Sequence, residues 1–274
     1  MRNNQNRAGH GSPAPPSPAP VQNNLAYVVP TEFVELPSRG KFYPQNHPLH
    51  GQETIEIKYM TAKDEDILSS QALLKKGLAI DRLLENIVAI DVDPKELLVC
   101  DRNAIMIAAR ISSYGHDYKV GTFCVGCNEQ VKHEFDLKKS SLNEKCFDSE
   151  FLSSREVVYD DETSAFCVVL PVSKACISFR MLYGEDEKIL LAMDEDKSIT
   201  SILSSFIVSV DEHASPEVVS SFVESMPARD SKFLRDLYTT LAPAISLKQD
   251  FSCDTCFHVE EMEVPLTAEF FWPE

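Results

Sequence analysis

Four of the eight cysteines in this 274-residue chain form two Cys-x2-Cys pairs, Cys124 with Cys127 and Cys253 with Cys256. Together they offer four thiolates, the donor set of a closed tetrahedral zinc site with Zn–S bonds of about 2.3 Å. Each pair lies between runs of strand character. Residues 118–123 lead into the first pair and 131–137 leave it; 245–251 lead into the second and 259–266 leave it. The spacing predicts two β-hairpins, each tipped by a cysteine turn. The pairs are 125 residues apart, against roughly 12–20 in an ordinary ribbon. The chain between them is then a large insertion whose ends one structural Zn2+ per chain would staple. A redox Cys-x-x-Cys opens a helix beside a βαβ unit, and neither pair does. Gly126 lies inside the first turn, where a backbone N–H aimed at sulfur favours a permissive residue.

Other candidates for chemistry are weaker. His133 and His258 follow their cysteine pairs, but four sulfurs already fill a tetrahedron, so both read as strand-surface residues. Cys100 and Cys146 have no local pairing, and Cys167 and Cys176 stand in apolar strand contexts that read as core. No Ser–His–Asp order, H-E-x-x-H, P-loop or G-x-G-x-x-G occurs. The acidic clusters at 64–66, 185–187 and 194–196 fall where helices should end, as solvated caps. The chain therefore reads as a non-enzyme.

Bulk properties agree with a folded protein that is not built for nucleic-acid backbones. Hydrophobic residues make up 43% and charged residues 25%, with a net charge of −17. Broad phosphate binding needs clustered Lys and Arg, whereas this acidity suits partners with basic patches. No apolar run approaches the roughly 20 residues of a membrane span, and the N-terminus lacks the hydrophobic core of a secretory signal. The cysteines are best read as reduced thiols, for which metal binding outranks disulfides.

The elements that must position the cysteines follow. Residues 1–24, rich in Pro, Ala, Ser and Asn, read as a disordered tail or a tether for a partner; residues 25–274 read as a single α+β domain. Pro37, Gly40 and Pro44 exclude a helix and predict an ordered loop in which Phe42 and Tyr43 serve as core anchors or partner contacts. Residues 53–59 alternate as a strand. Residues 61–113 read as three helices, the first opened by a Thr61/Asp64 capping pair, the second capped by Asp81, the third restarted at Asp93-Pro94; Gly115 is a helix stop. Residues 138–153 read as a loop, 157–159 and 166–170 as strands, with another possible at 176–179. Helices are expected over 180–193, 199–210, from Pro216 and over 229–241. The pattern predicts two halves, 25–137 and 138–274, each a helical block followed by a β-hairpin zinc knuckle, the knuckles joined in one four-cysteine site. The aromatic end, Phe270-Phe271-Trp272, is expected to pack or to touch a partner.

Leu36-Pro37-Ser38-Arg39-Gly40-Lys41-Phe42-Tyr43-Pro44 resembles the LPSRGxFYP opening of the baseplate hub proteins of T-even-type contractile-tailed bacteriophages. The Thr61–Asp66 helix start, Ser113-Tyr114-Gly115, the strand into Cys124 and the close through Cys253, Cys256 and Val264-Pro265-Leu266-Thr267 are similar to that family too. The resemblance covers residues 33–274. It implies a hub subunit or chaperone-like assembly factor, acting by protein–protein binding to other baseplate or tail hub proteins, in the virion tail baseplate or in the host cytoplasm during assembly. The zinc site comes from the spacing and not from the resemblance. The alternative is a zinc-ribbon nucleic-acid-binding regulator using Lys119, Lys132, Lys138, Lys139 and Lys248.

Overall fold

A computed structural model describes residues 28–193, 198–265 and 268–271. The expected tail at 1–24 and Trp272 lie outside the described residues. Strand β1 (Thr31–Glu35) pairs antiparallel with β2 (Thr54–Lys58), and the alternation of Ile55 and Ile57 turns both into the core. The loop between them is an anchor. Leu36, Phe42, Tyr43 and Leu49 are buried in it. Gly40 has φ +68°, and a Cβ there would run into the Leu49 carbonyl oxygen and the Gln52 N–H, so the turn requires glycine. Asp101 ties the loop down from a distance. Its carboxylate accepts the Ser38 backbone N–H at 3.0 Å, the Ser38 hydroxyl at 2.6 Å and the Tyr43 hydroxyl at 2.8 Å, while Tyr43 Oη accepts the Leu98 N–H at 3.0 Å. Phe42 and Tyr43 are thereby core anchors, while Arg39 and Pro44 of the same loop are exposed.

The helical block is α1 (Ala62–Ser69), α2 (Gln71–Lys75), α3 (Ala79–Ile87) and α4 (Val99–Tyr114). Asp64 accepts from both the backbone and the hydroxyl of Thr61, as the capping pair requires. Two expectations change. Asp81 is not a cap: it lies inside α3, buried, and pairs with Arg102 at 2.9 Å and Lys188 at 3.2 Å. Pro94 opens only a single 3-10 turn, because Leu97 and Leu98 are extended and bind the second half of the chain, Leu97 C=O accepting the Gly184 N–H at 2.8 Å. Gly115, with φ +84°, ends α4 as expected.

Next come β3 (Asp117–Phe123) and β4 (Gln130–Asp136). The segment read as a loop holds β5 (Ser141–Asn143) and α5 (Ser149–Ser154). Strands β6 (Val158–Asp160), β7 (Ala165–Val169), β8 (Cys176–Phe179) and β9 (Ile207–Val210) form one antiparallel sheet in that order. Helix α6 (Gly184–Ala192) starts four residues after Arg180, whose guanidinium stays behind to pair with Asp186. The apolar run 199–210 divides into helix α7 (Ile199–Phe206) and strand β9; β-branched Ile207 and Val210 pair with β8, with Val208 at an irregularity in the register, and that partner overrides helix propensity. Helices α8 (Pro216–Ser225) and α9 (Ala228–Leu241) follow, with Ser215 capping α8 and Pro216 in its first turn. Strand β10 (Ala244–Ser246) pairs with β5, and β11 (Lys248–Ser252) with β12 (Val259–Glu263).

The architecture is mixed helix and small antiparallel sheets. The two halves are unequal, since the second carries the four-stranded sheet. A continuous apolar core draws on both, from Leu36 and Phe42 through Ile105 and Phe166 to Leu237 and Phe271. Arg110 closes it. Its guanidinium, almost fully buried, donates to the Phe270 carbonyl at 2.6 Å and the Gly115 carbonyl at 2.7 Å.

Candidate metal centre

In the first hairpin Phe123 stands opposite Gln130, and Cys124 begins the turn. Cys124 N–H donates to the Glu129 carbonyl at 3.0 Å and Asn128 N–H to the Cys124 carbonyl at 2.7 Å. In the second, Ser252 stands opposite Val259. Cys253 N–H donates to the His258 carbonyl and Phe257 N–H to the Cys253 carbonyl, both at 2.9 Å. The turns share one hydrogen-bonded frame, and in each the residue after the second cysteine is left-handed: Asn128 at φ 58° and Phe257 at φ 59°. Asn tolerates that region; an aromatic residue occupies it only under constraint.

The frame brings all four sulfurs within 4.8 Å of one another. Two contacts cross between hairpins, Cys124 Sγ to Cys256 Sγ at 3.6 Å and Cys127 Sγ to Cys253 Sγ at 3.8 Å. A regular tetrahedron with arms of about 2.3 Å has edges of about 3.8 Å, so the donor set and its spacing fit zinc. Cys124 and Cys253 are buried, Cys127 half-buried and Cys256 exposed. Their protonation is uneven. Backbone N–H groups of Cys256 and Thr255 aimed at Cys253, helped by neighbouring thiols, lower its pKa to about 6. For Cys127 the Glu129 backbone works downward, but burial and the other three sulfurs carry it up to about 12. Among these crowded sulfurs Cys253 gives up its proton easily while Cys127 and Cys256 hold theirs, a repulsion between thiolates that a bound dication relieves.

Glycine at 126 is explained by crowding. Its N–H does point at Cys124 Sγ, at 3.3 Å. A Cβ there would sit 2.8 Å from His258 Cβ and 3.3 Å from Cys256 Sγ, so side-chain-free backbone lets the hairpins meet. Two further contacts hold them. His133 lies edge-on between Phe135 and Phe251, with centroids at 4.6 and 5.1 Å. The Gln249 amide donates to the Asp136 carbonyl at 2.8 Å and accepts the Asp136 N–H at 3.1 Å. Gln249 was not singled out from sequence; its place on the same strand face as Phe251 is the only signal. His133 and His258 do not join the sulfur cluster.

The remaining cysteines stand apart. Cys146 is buried, and burial pushes its thiol up to about 12. Cys167 is half-buried beside Ser178 Oγ at 3.3 Å. Cys176 is exposed and not a core residue, because it points to the outer side of β8.

The family model described as T4 bacteriophage base plate protein matches residues 29–272. The chain belongs to that family. No curated protein and no solved structure matches it. As a T4-type baseplate protein it has a structural role in the phage tail baseplate, alongside other baseplate and tail proteins. Among the described residues, no helix of this baseplate protein is long and apolar enough to cross a membrane.

Proposed function

We propose that this baseplate protein is a non-enzymatic hub component or chaperone-like assembly factor that acts by binding other hub proteins, in the host cytoplasm during assembly and in the tail. In this reading residues 25–274 act as one body, and Cys124, Cys127, Cys253 and Cys256 hold one structural Zn2+ that clasps two zinc knuckles together. The observation that carries it is the meeting of four sulfurs from hairpins far apart in sequence, in a chain of the baseplate family. The metal supplies cross-linking: a filled four-sulfur shell leaves no coordination position for a substrate. Elemental analysis of the full chain is expected to read about one zinc, and Cys253→Ser to lose it together with stability. Size-exclusion chromatography with the hub subunits is expected to give a complex; its absence would count heavily against the binding role.

The nucleic-acid reading has less support. Lys119 is tied to Glu134 at 3.5 Å, and Asp250, Glu260, Glu261 and Glu263 stand on the same pair of hairpins. Tight, salt-sensitive binding in a gel shift would restore it.

A further inference from the structure

The sheet β6–β7–β8–β9 uses its two faces differently. The inner face, with Phe166, Val168, Ile177 and Phe179, is buried in the core. On the outer face the register sets Val158, Cys167, Ser178 and Ser209 in one row and Val169 beside Cys176 in the next. Val158 is 64% exposed and Val169 50%, and Cys176 is exposed, so nothing in the described chain covers them. All six are uncharged. An open face of an antiparallel sheet is ordinarily polar, and a quarter of this chain is charged. Asp160 closes β6 on this face, opposite Ala165, and further carboxylates stand at two diagonal corners: Asp161 and Glu162 after β6, and Asp211 and Glu212 after β9, with Lys174 in the β7–β8 turn.

We infer that this outer sheet face is a docking surface for another baseplate protein, one presenting an aliphatic patch bordered by Lys or Arg. Apolar surface of this kind marks interaction sites, and the acidic corners select a basic rim and steer its approach. A second copy of the chain is a poorer occupant, since two bodies of net charge −17 repel. The inference rests on the hub-binding reading above and names the surface it would use.

Cys176 is a native reporter. Full-length protein, free and in baseplates or baseplate intermediates sedimented from phage-producing cells, is treated with N-ethylmaleimide and the labelled peptides are mapped. Cys176 is expected to label about tenfold more slowly in the sedimented fraction than in the free chain. Val169→Glu, at an exposed position, is expected to melt like the wild type yet fail to co-sediment. Equal labelling in both fractions, or normal co-sedimentation of Val169→Glu, overturns the docking face while leaving the hub role standing. Absence of the wild-type chain from every baseplate fraction overturns the hub role and this inference with it. A dimer of the free chain that protects Cys176 and dissociates in Val169→Glu overturns the choice of partner.

Discussion

Asp101 shows how much can hang on one buried side chain. Its carboxylate is held by the Ser38 N–H, the Ser38 hydroxyl and the Tyr43 hydroxyl, and burial outweighs those bonds to raise its pKa. Tyr43→Phe removes both a donor to Asp101 and the acceptor of the Leu98 N–H. Two buried polar groups are then left short, at about 1–3 kcal/mol each, so urea unfolding is expected to show a loss of about 2–4 kcal/mol. The cysteines and the core role of Phe42 and Tyr43 were legible in the sequence, because residue type and spacing declare them. Asp101 was not. It meets Ser38 across 63 positions, and no local pattern announces a partner that distant.

Among elements, local periodicity served where a segment's own sequence decides its shape. The hairpins β3–β4 and β11–β12, the start of α8 at Pro216 and the stop at Gly115 all stand as read. It failed where a distant partner decides. Leu97 and Leu98 leave the helix to meet Tyr183 and Gly184, and Ile207 leaves it to meet Phe179. The two hairpins approach closely at Gly126. Gly126→Ala would press a methyl on His258 and spread the two hairpins. The expected result is a zinc affinity about tenfold weaker in a chelator competition, with far-ultraviolet circular dichroism unchanged.

For the whole molecule, the proposed zinc adds a cross-link between two hairpins that meet through their side chains. The hairpins share the Gln249 amide bonds to Asp136, the aromatic contacts around His133, and a small apolar cluster of Cys124, Phe251 and Cys253 packed by Val131 and Met262. Removing metal with a chelator under reducing conditions is therefore expected to lower the melting temperature by about 10 °C or more. Equal melting of metal-loaded and chelated protein would refute the clasp. The sulfurs that touch across the hairpins are 132 and 126 positions apart in the chain. That distance sets an order of events during synthesis. When the first pair leaves the ribosome its partners do not yet exist, and two thiols bind zinc far more weakly than four. Everything between must be made, and Cys253 and Cys256 delivered to the same place, before the ion can be captured. A zinc held by all four thiols would therefore mark a chain whose translation has run past Cys256 and whose two hairpins have met.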